Sequence, residues 1–215
     1  KEENRKNGLI WSGIYNSTSG INRLHEFNMS QKITKDLNPQ YGGIQKLHTR
    51  DTDITALCED KVLRILANKD ALYNADGNIN LTATDKVLGQ SIPYIGEYGI
   101  SKNPESFISH AYRSYFTDSA RGAVLRLSRD GLTNIAEKGM TDWFKDNLPS
   151  SSSLIGTYNE NKGSYNLTVD GTTDYTISFD ERVNGWTSFK SFIPESGCSL
   201  NNVYYTFKNG LIYAH

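Results

Sequence analysis

Two short acidic runs are the first candidates for chemistry. Arg50-Asp51-Thr52-Asp53 and Glu59-Asp60 bring carboxylates close together in sequence, and two carboxyl groups flanking one bond are what glycoside hydrolysis requires. Aspartate and glutamate are common surface residues, however. No spacing draws the two runs into one cleft, so a non-enzymatic chain with no catalytic residue is expected. Asn74-Ala75-Asp76-Gly77-Asn78 has the residue types of a calcium loop. It lacks the alternating ligands and the closing bidentate Glu, which makes a tight turn the better expectation. His25, His48, His110 and His215 share no metal-ligand spacing with one another or with Cys58 and Cys198. Neither a metal nor a cofactor is expected, and the chain has no glycine-rich phosphate loop and no G-x-S-x-G nucleophile turn.

Ser128-Arg129-Asp130-Gly131-Leu132-Thr133 resembles the Asp-box of sialidase-like propellers, S-x-D-x-G-x-x-W, without the spacer between Asp and Gly and without the Trp. Asp-boxes are themselves structural turns whose carboxylate caps backbone N–H groups, and a turn is expected. Trp11, Tyr15, Trp143, Trp186, Tyr204 and Tyr205 are the candidate interaction residues. They are either platforms for a sugar ring or packing residues and subunit anchors, since Tyr and Trp bury much area and keep a polar handle. Packing is the favoured role. Cys58, in the apolar pattern of Ile54, Ala56 and Leu57, is expected in the core rather than in a disulfide. His110 is expected to be packed or hydrogen-bonded within a strand. Asn16, Asn28, Asn80 and Asn166 each open an N-x-[ST] triplet and are expected at strand edges and turns.

The elements that position these residues follow a pattern set by residues 112–135. Tyr112, Ser114 and Phe116 alternate with Arg113, Tyr115 and Thr117, as in a strand with two dissimilar faces. Asp118-Ser119-Ala120-Arg121-Gly122 supplies a turn, with a carboxylate able to cap its own backbone. Residues 123–128 return, Arg129-Asp130-Gly131 turns again, and residues 132–135 offer a short third strand. This is an antiparallel meander. Composition agrees, because 13 Tyr and 8 Phe suit half-buried pleated surfaces. A net charge of −1 over 215 residues gives no nucleic-acid signature. No apolar run approaches the ~20 residues of a membrane-spanning helix.

Turn signals recur along the chain. Lys6-Asn7-Gly8-Leu9-Ile10-Trp11 is matched by Lys208-Asn209-Gly210-Leu211-Ile212-Tyr213, and Asn-Gly between apolar segments predicts a hairpin in each. Glu59-Asp60 leads into Val62-Leu63-Arg64-Ile65, and Arg121-Gly122 leads into Val124-Leu125-Arg126-Leu127, which share a V-L-R-[IL] core. Residues 158–163 form a further return. The interval is roughly that of β-propeller blades, ~40–50 residues with four strands each. Further strands are predicted at 21–27, 52–57, 71–73, 79–83, 174–179 and 186–193. Residues 88–104 are predicted as an ordered loop. Residues 139–148 are predicted as the one helix, with Met140, Trp143, Phe144 and Leu148 as its apolar stripe. The expected fold is mainly β: antiparallel meander repeats, β-propeller-like, complete or partial, with a short inserted helix near 139–148 and no internal domain boundary across 1–215.

Several segments resemble a family of large structural proteins of tailed bacteriophages, known from crAss-like phages and related phages of Bacteroidetes and marine hosts. They are Y-F-T-D-S-A-R-G-A-V-L-R-L-S-R-D-G-L-T-N-I (115–135), G-M-T-D-W-F (139–144), Y-N-E-N-K-G-S-Y-N-L-T-V (158–169), W-T-S-F (186–189), Y-Y-T-F-K-N-G-L-I-Y-A-H (204–215) and Asn103-Pro104-Glu105-Ser106. The resemblance keeps a consistent order over roughly residues 51–215. It implies a virion component of the tail, stabilisation or muzzle type, in the tail or portal-proximal region, assembled in the bacterial host cytoplasm. The implied partners are other virion proteins (tail, portal-proximal ring or fibre subunits) in a homo-oligomeric ring, without a membrane. A host glycan or receptor bound at the tail tip is the alternative. Such proteins are usually much longer, so Lys1 is expected to be an internal residue of a longer polypeptide. The resemblance brings no catalytic residues with it.

Overall fold

A computed structural model describes residues 2–13, 15–30, 32–73 and 79–215. The predicted turn at 74–78 lies outside the described residues. The chain opens with β1 (Gly8–Ile10), β2 (Tyr15–Asn16), β3 (Ile21–Asn22) and β4 (Thr34–Asp36), of which β1 pairs with β4 and β2 with β3. A four-stranded meander follows: β5 (Ile44–Arg50), β6 (Asp53–Cys58), β7 (Val62–Tyr73) and β8 (Ile79–Pro93). The second meander is β9 (Ile108–His110), β10 (Arg113–Asp118), β11 (Ala123–Ser128) and β12 (Gly131–Asn134). Helix α1 (Thr141–Asn147) leads to the third: β13 (Ser153–Asn159), β14 (Ser164–Asp170), β15 (Tyr175–Asp180) and β16 (Gly185–Lys190). A three-stranded sheet, β17 (Ser196–Leu200), β18 (Val203–Lys208) and β19 (Leu211–Ala214), comes last. The protein is mainly β, built of small antiparallel sheets taken in sequence order.

The alternation along β10 becomes two covered faces. Phe116 lies opposite Leu125 and, with Ala123 and Leu127, packs on Leu57 and Val62 of the first meander. Tyr115 and Val124 point the other way, onto Leu154, Tyr165, Leu167 and Phe179 of the third. A period of two is what lets one strand serve both neighbours. Helix α1 adds buried Phe144, followed by buried Leu148, to this second cluster, with Met140 and Trp143 against it. It is shorter than predicted, since Met140 and Leu148 are its caps. Beneath the first meander, Cys58 packs with Leu37, Ala56, Leu63 and Ile65. It is a free thiol, as expected of a core residue, and burial, then the Glu59 charge, pushes its pKa up to about 11.

The two K-N-G-L-I copies fold differently. Asn209 and Gly210 join β18 to β19 with φ of 52° and 74°, the conformation a two-residue hairpin turn needs. Gly8 instead begins β1, which pairs with the distant β4. Among the described residues no strand precedes Asn7, and β1 takes its pairing from β4 instead. The V-L-R-[IL] cores, by contrast, occupy equivalent places in the third strands of their meanders, β7 and β11. The predicted loop at 88–104 begins later than expected: β8 continues to Pro93, with Ile92 opposite Arg64. Pro93 is tolerated at the end of an edge strand. The predicted strand at 21–27 is realised only at Ile21–Asn22, where β2 supplies a partner.

Turn chemistry ties the sheets together. The Asp118 carboxylate, fully buried, accepts from the Arg121 N–H at 3.2 Å, the Ser101 hydroxyl at 2.8 Å and the Gly99 N–H at 3.1 Å. It thereby caps its own turn and anchors the 94–103 loop. Only glycine fits at position 99, where a Cβ would meet the Glu59 carbonyl oxygen at 2.1 Å.

Candidate functional site

Of the six aromatic candidates, Trp143 and Trp186 share one neighbour, Phe144. Tyr204 is buried, its hydroxyl 2.7 Å from Thr157 Oγ1. Trp186 donates its indole N–H to the Ile135 carbonyl at 2.9 Å and packs on Phe144 and Phe179. Trp143 stands edge-on to Phe144, Tyr175 and Phe189. Trp11 and Tyr205 are half-buried, and Tyr15 is exposed on the β2–β3 hairpin.

The acidic runs separate. Asp51 and Asp53 sit at one end of β6 and Glu59 and Asp60 at the other, roughly 20 Å apart at the usual strand rise. Asp60 pairs with Arg121 at 3.2 Å, and Glu59 accepts from Gln45 at 3.1 Å. Asp53 is buried and accepts from Arg64 Nε at 2.7 Å, Lys69 Nζ at 3.2 Å and the Ala67 N–H at 3.4 Å. Burial pushes its carboxyl upward, but these donors outweigh burial and hold the pKa below its ordinary value.

At the Asp51 end, the β5–β6 and β11–β12 turns meet. Arg50, Asp53, Arg64, Tyr94, Ser128 and Arg129 line a cavity of about 210 Å³, with Asp51 beside them. A second cavity, of about 370 Å³, shares Arg50 and Asp51 and reaches His48, Ser109, Tyr112 and Ser114. Tyr112 interacts with two guanidiniums, with Arg129 4.9 Å and Arg113 5.0 Å from its ring centre. His48 lies 5.0 Å from the Phe107 ring. Burial, then the charges of Lys46 and Arg50, lower its pKa below the ordinary value. Two non-glycine residues lining the second cavity, Asp51 and Ala111, hold positive φ of 52° and 50°, a conformation that Asp adopts readily in a tight turn and that is unfavourable for Ala. Arg50 Nη1 and Ser128 Oγ are buried and have no hydrogen-bond partner among the described residues.

The sequence pointed to Asp51 and Asp53 as acids and to Ser128-Arg129 as part of a turn. The fold joins these two segments through Arg50, Arg64 and Tyr94. Of these, Arg50 heads the acidic run and Arg64 belongs to the V-L-R-I core, whereas Tyr94 carries no sequence signal.

A second polar centre joins the second and third meanders. Glu181 accepts from the Tyr115 hydroxyl at 2.5 Å and from Arg126 at 2.8 Å, with Arg113 3.8 Å away. Beside it, His110 stacks on Tyr158 at 4.2 Å, and Tyr115 stacks on Tyr165 at 4.8 Å. Among the described residues, no group of three or more His, Cys, Asp or Glu is placed to hold a metal ion, and no helix is long and apolar enough to cross a membrane. Compared with protein-family models and with curated proteins, the chain matches none.

Proposed function

We propose that the chain is a β-propeller-like section of a structural protein in a tailed-phage virion, in the tail or portal-proximal region, and that it works by contact with neighbouring subunits rather than by catalysis. Three successive four-stranded meanders, the middle one packed on both neighbours, support the blade reading. The longest run of the phage resemblance, residues 115–135, covers most of β10 and all of β11 and β12 and so belongs to the framework that stacks the sheets.

The observation that carries the contact role is the segment around β2 and β3. Residues 15–30 are exposed throughout, yet they include Tyr15, Ile21, Leu24, Phe27 and Met29, the last 85% exposed. A lone two-stranded hairpin is marginal in water, and large apolar side chains exposed together mark a surface that a partner covers. A host glycan stacked on tryptophan is the weaker reading, because Trp143 and Trp186 have their rings against aromatic neighbours within the fold.

The test is to locate the chain in purified particles by mass spectrometry and to ask whether a Tyr15→Ser, Leu24→Ser, Phe27→Ser, Met29→Ser variant still enters them. The native chain is expected in the particle, with the variant folded but excluded. Absence of the native chain from virions overturns the proposal, and normal incorporation of the variant removes the segment from it.

A further inference from the structure

We propose that the cleft between the β5–β6 and β11–β12 turns is a binding site for a small ligand bearing an oxyanion, a carboxylate or phosphoryl group, received by the Arg50 guanidinium and the Ser128 hydroxyl. This inference is independent of any role in a virion.

The unmet donors come first. Native folds pair nearly all of their buried polar atoms, and a buried donor without a partner is destabilising. Arg50 Nη1 and Ser128 Oγ are both in that state, and both residues line the same cavity. Ser128 is only 6% exposed. Each of these two donor atoms has less than 1 Å² of accessible surface, so a ligand oxygen accepts from them once the two side chains turn toward the cavity they line.

Charge decides the sign of that ligand. Three guanidiniums and two carboxylates surround the cavity, but Asp53 is already engaged by Arg64 and Lys69. Arg50, Arg129 and Asp51 have no ion-pair partner among the described residues, so three guanidiniums against two carboxylates leave a net charge of about +1. Guanidinium forks match carboxylate and phosphate geometry. The adjoining cavity gives room for the rest of the ligand, with Tyr112 and its two arginines on its wall or beside it. The positive φ of Ala111 fits a site whose shape is held by the sheets rather than by local preference.

Titration calorimetry on the full chain tests this, with inorganic phosphate and D-glucuronate as separate probes at constant ionic strength. Saturable binding of at least one is expected, and which one binds distinguishes a phosphoryl from a carboxylate ligand. Arg50→Gln should weaken it about ten-fold and Ser128→Ala about three-fold, the size of a charge-assisted and a neutral hydrogen bond. Because Ser128→Ala removes a hydroxyl that has no partner, the unliganded Tm should stay level or rise. The proposal is overturned if neither probe binds, if both variants bind like the native chain, or if Ser128→Ala lowers the Tm without touching affinity.

Discussion

A buried carboxylate stabilises a fold only while its donors are matched to it, and Asp53 is the clearest such residue here. It lies almost fully inside the protein, and the donors that reach it come from β7, so it fastens the β5–β6 turn to the strand beyond. Asp53→Asn leaves Arg64 and Lys69 without their counter-charge. The expected loss is about 2–3 kcal/mol by urea denaturation, below the full value for a buried pair because Arg64 is partly solvated. The pH dependence has a definite sign. A carboxyl whose folded pKa is depressed contributes fully above its ordinary value of 3.8 and loses that contribution as the pH falls through the folded pKa. The native protein should therefore lose stability more steeply than Asp53→Asn below that value. Parallel acid limbs for the two proteins would show that the pairing contributes nothing.

At the level of elements, hairpin turns and the helix were the most legible features, because their chemistry is local. Asn209-Gly210, the Asp118 cap and the stripe of α1 all depend on residues within a few positions of one another. Asn16 and Asn28 likewise accept from N–H groups two residues on, as turn residues do. Asn166 departs from that pattern: it lies inside β14, 1% exposed, and accepts from Ser178. Thr168 and Thr176 pair in the same way at 2.9 Å. Alternation in sequence separates two faces but does not say whether the polar one meets water or a matched row of hydroxyls. The cleft was illegible for a related reason, since it depends on how two sheets stack and no local pattern encodes that. Glu181 measures the stacking of the next pair. Glu181→Gln strands Arg126 at the sheet interface and should cost about 2–3 kcal/mol, while Tyr115→Phe removes one hydrogen bond and should cost about 1 kcal/mol. In chemical denaturation the double variant should lose less than the sum, because the two groups share one contact. Strict additivity would mean that they act separately.

Across the whole molecule, apolar burial and apolar exposure are segregated. The core clusters run between and beneath the meanders, whereas exposed large side chains fall in two groups, on the β2–β3 segment and on β19, and singly elsewhere, as at Ile95 and Val183. Leu211, Ile212 and Tyr213 are 58%, 66% and 47% exposed, on the outer strand of a sheet with three strands where each meander has four. An apolar edge strand is a template for strand addition, and a charge placed on it is how natural sheets prevent such pairing. Stability and association should therefore come apart at β19. Ile212→Lys removes a side chain that is not part of any core cluster, so its Tm should stay within about 2 °C of native, a shift worth well under 1 kcal/mol. The same change should abolish any concentration-dependent self-association seen by sedimentation equilibrium. Unaltered association would move the contact away from β19, and a fall in Tm matching a core substitution would mean that Ile212 is buried in solution.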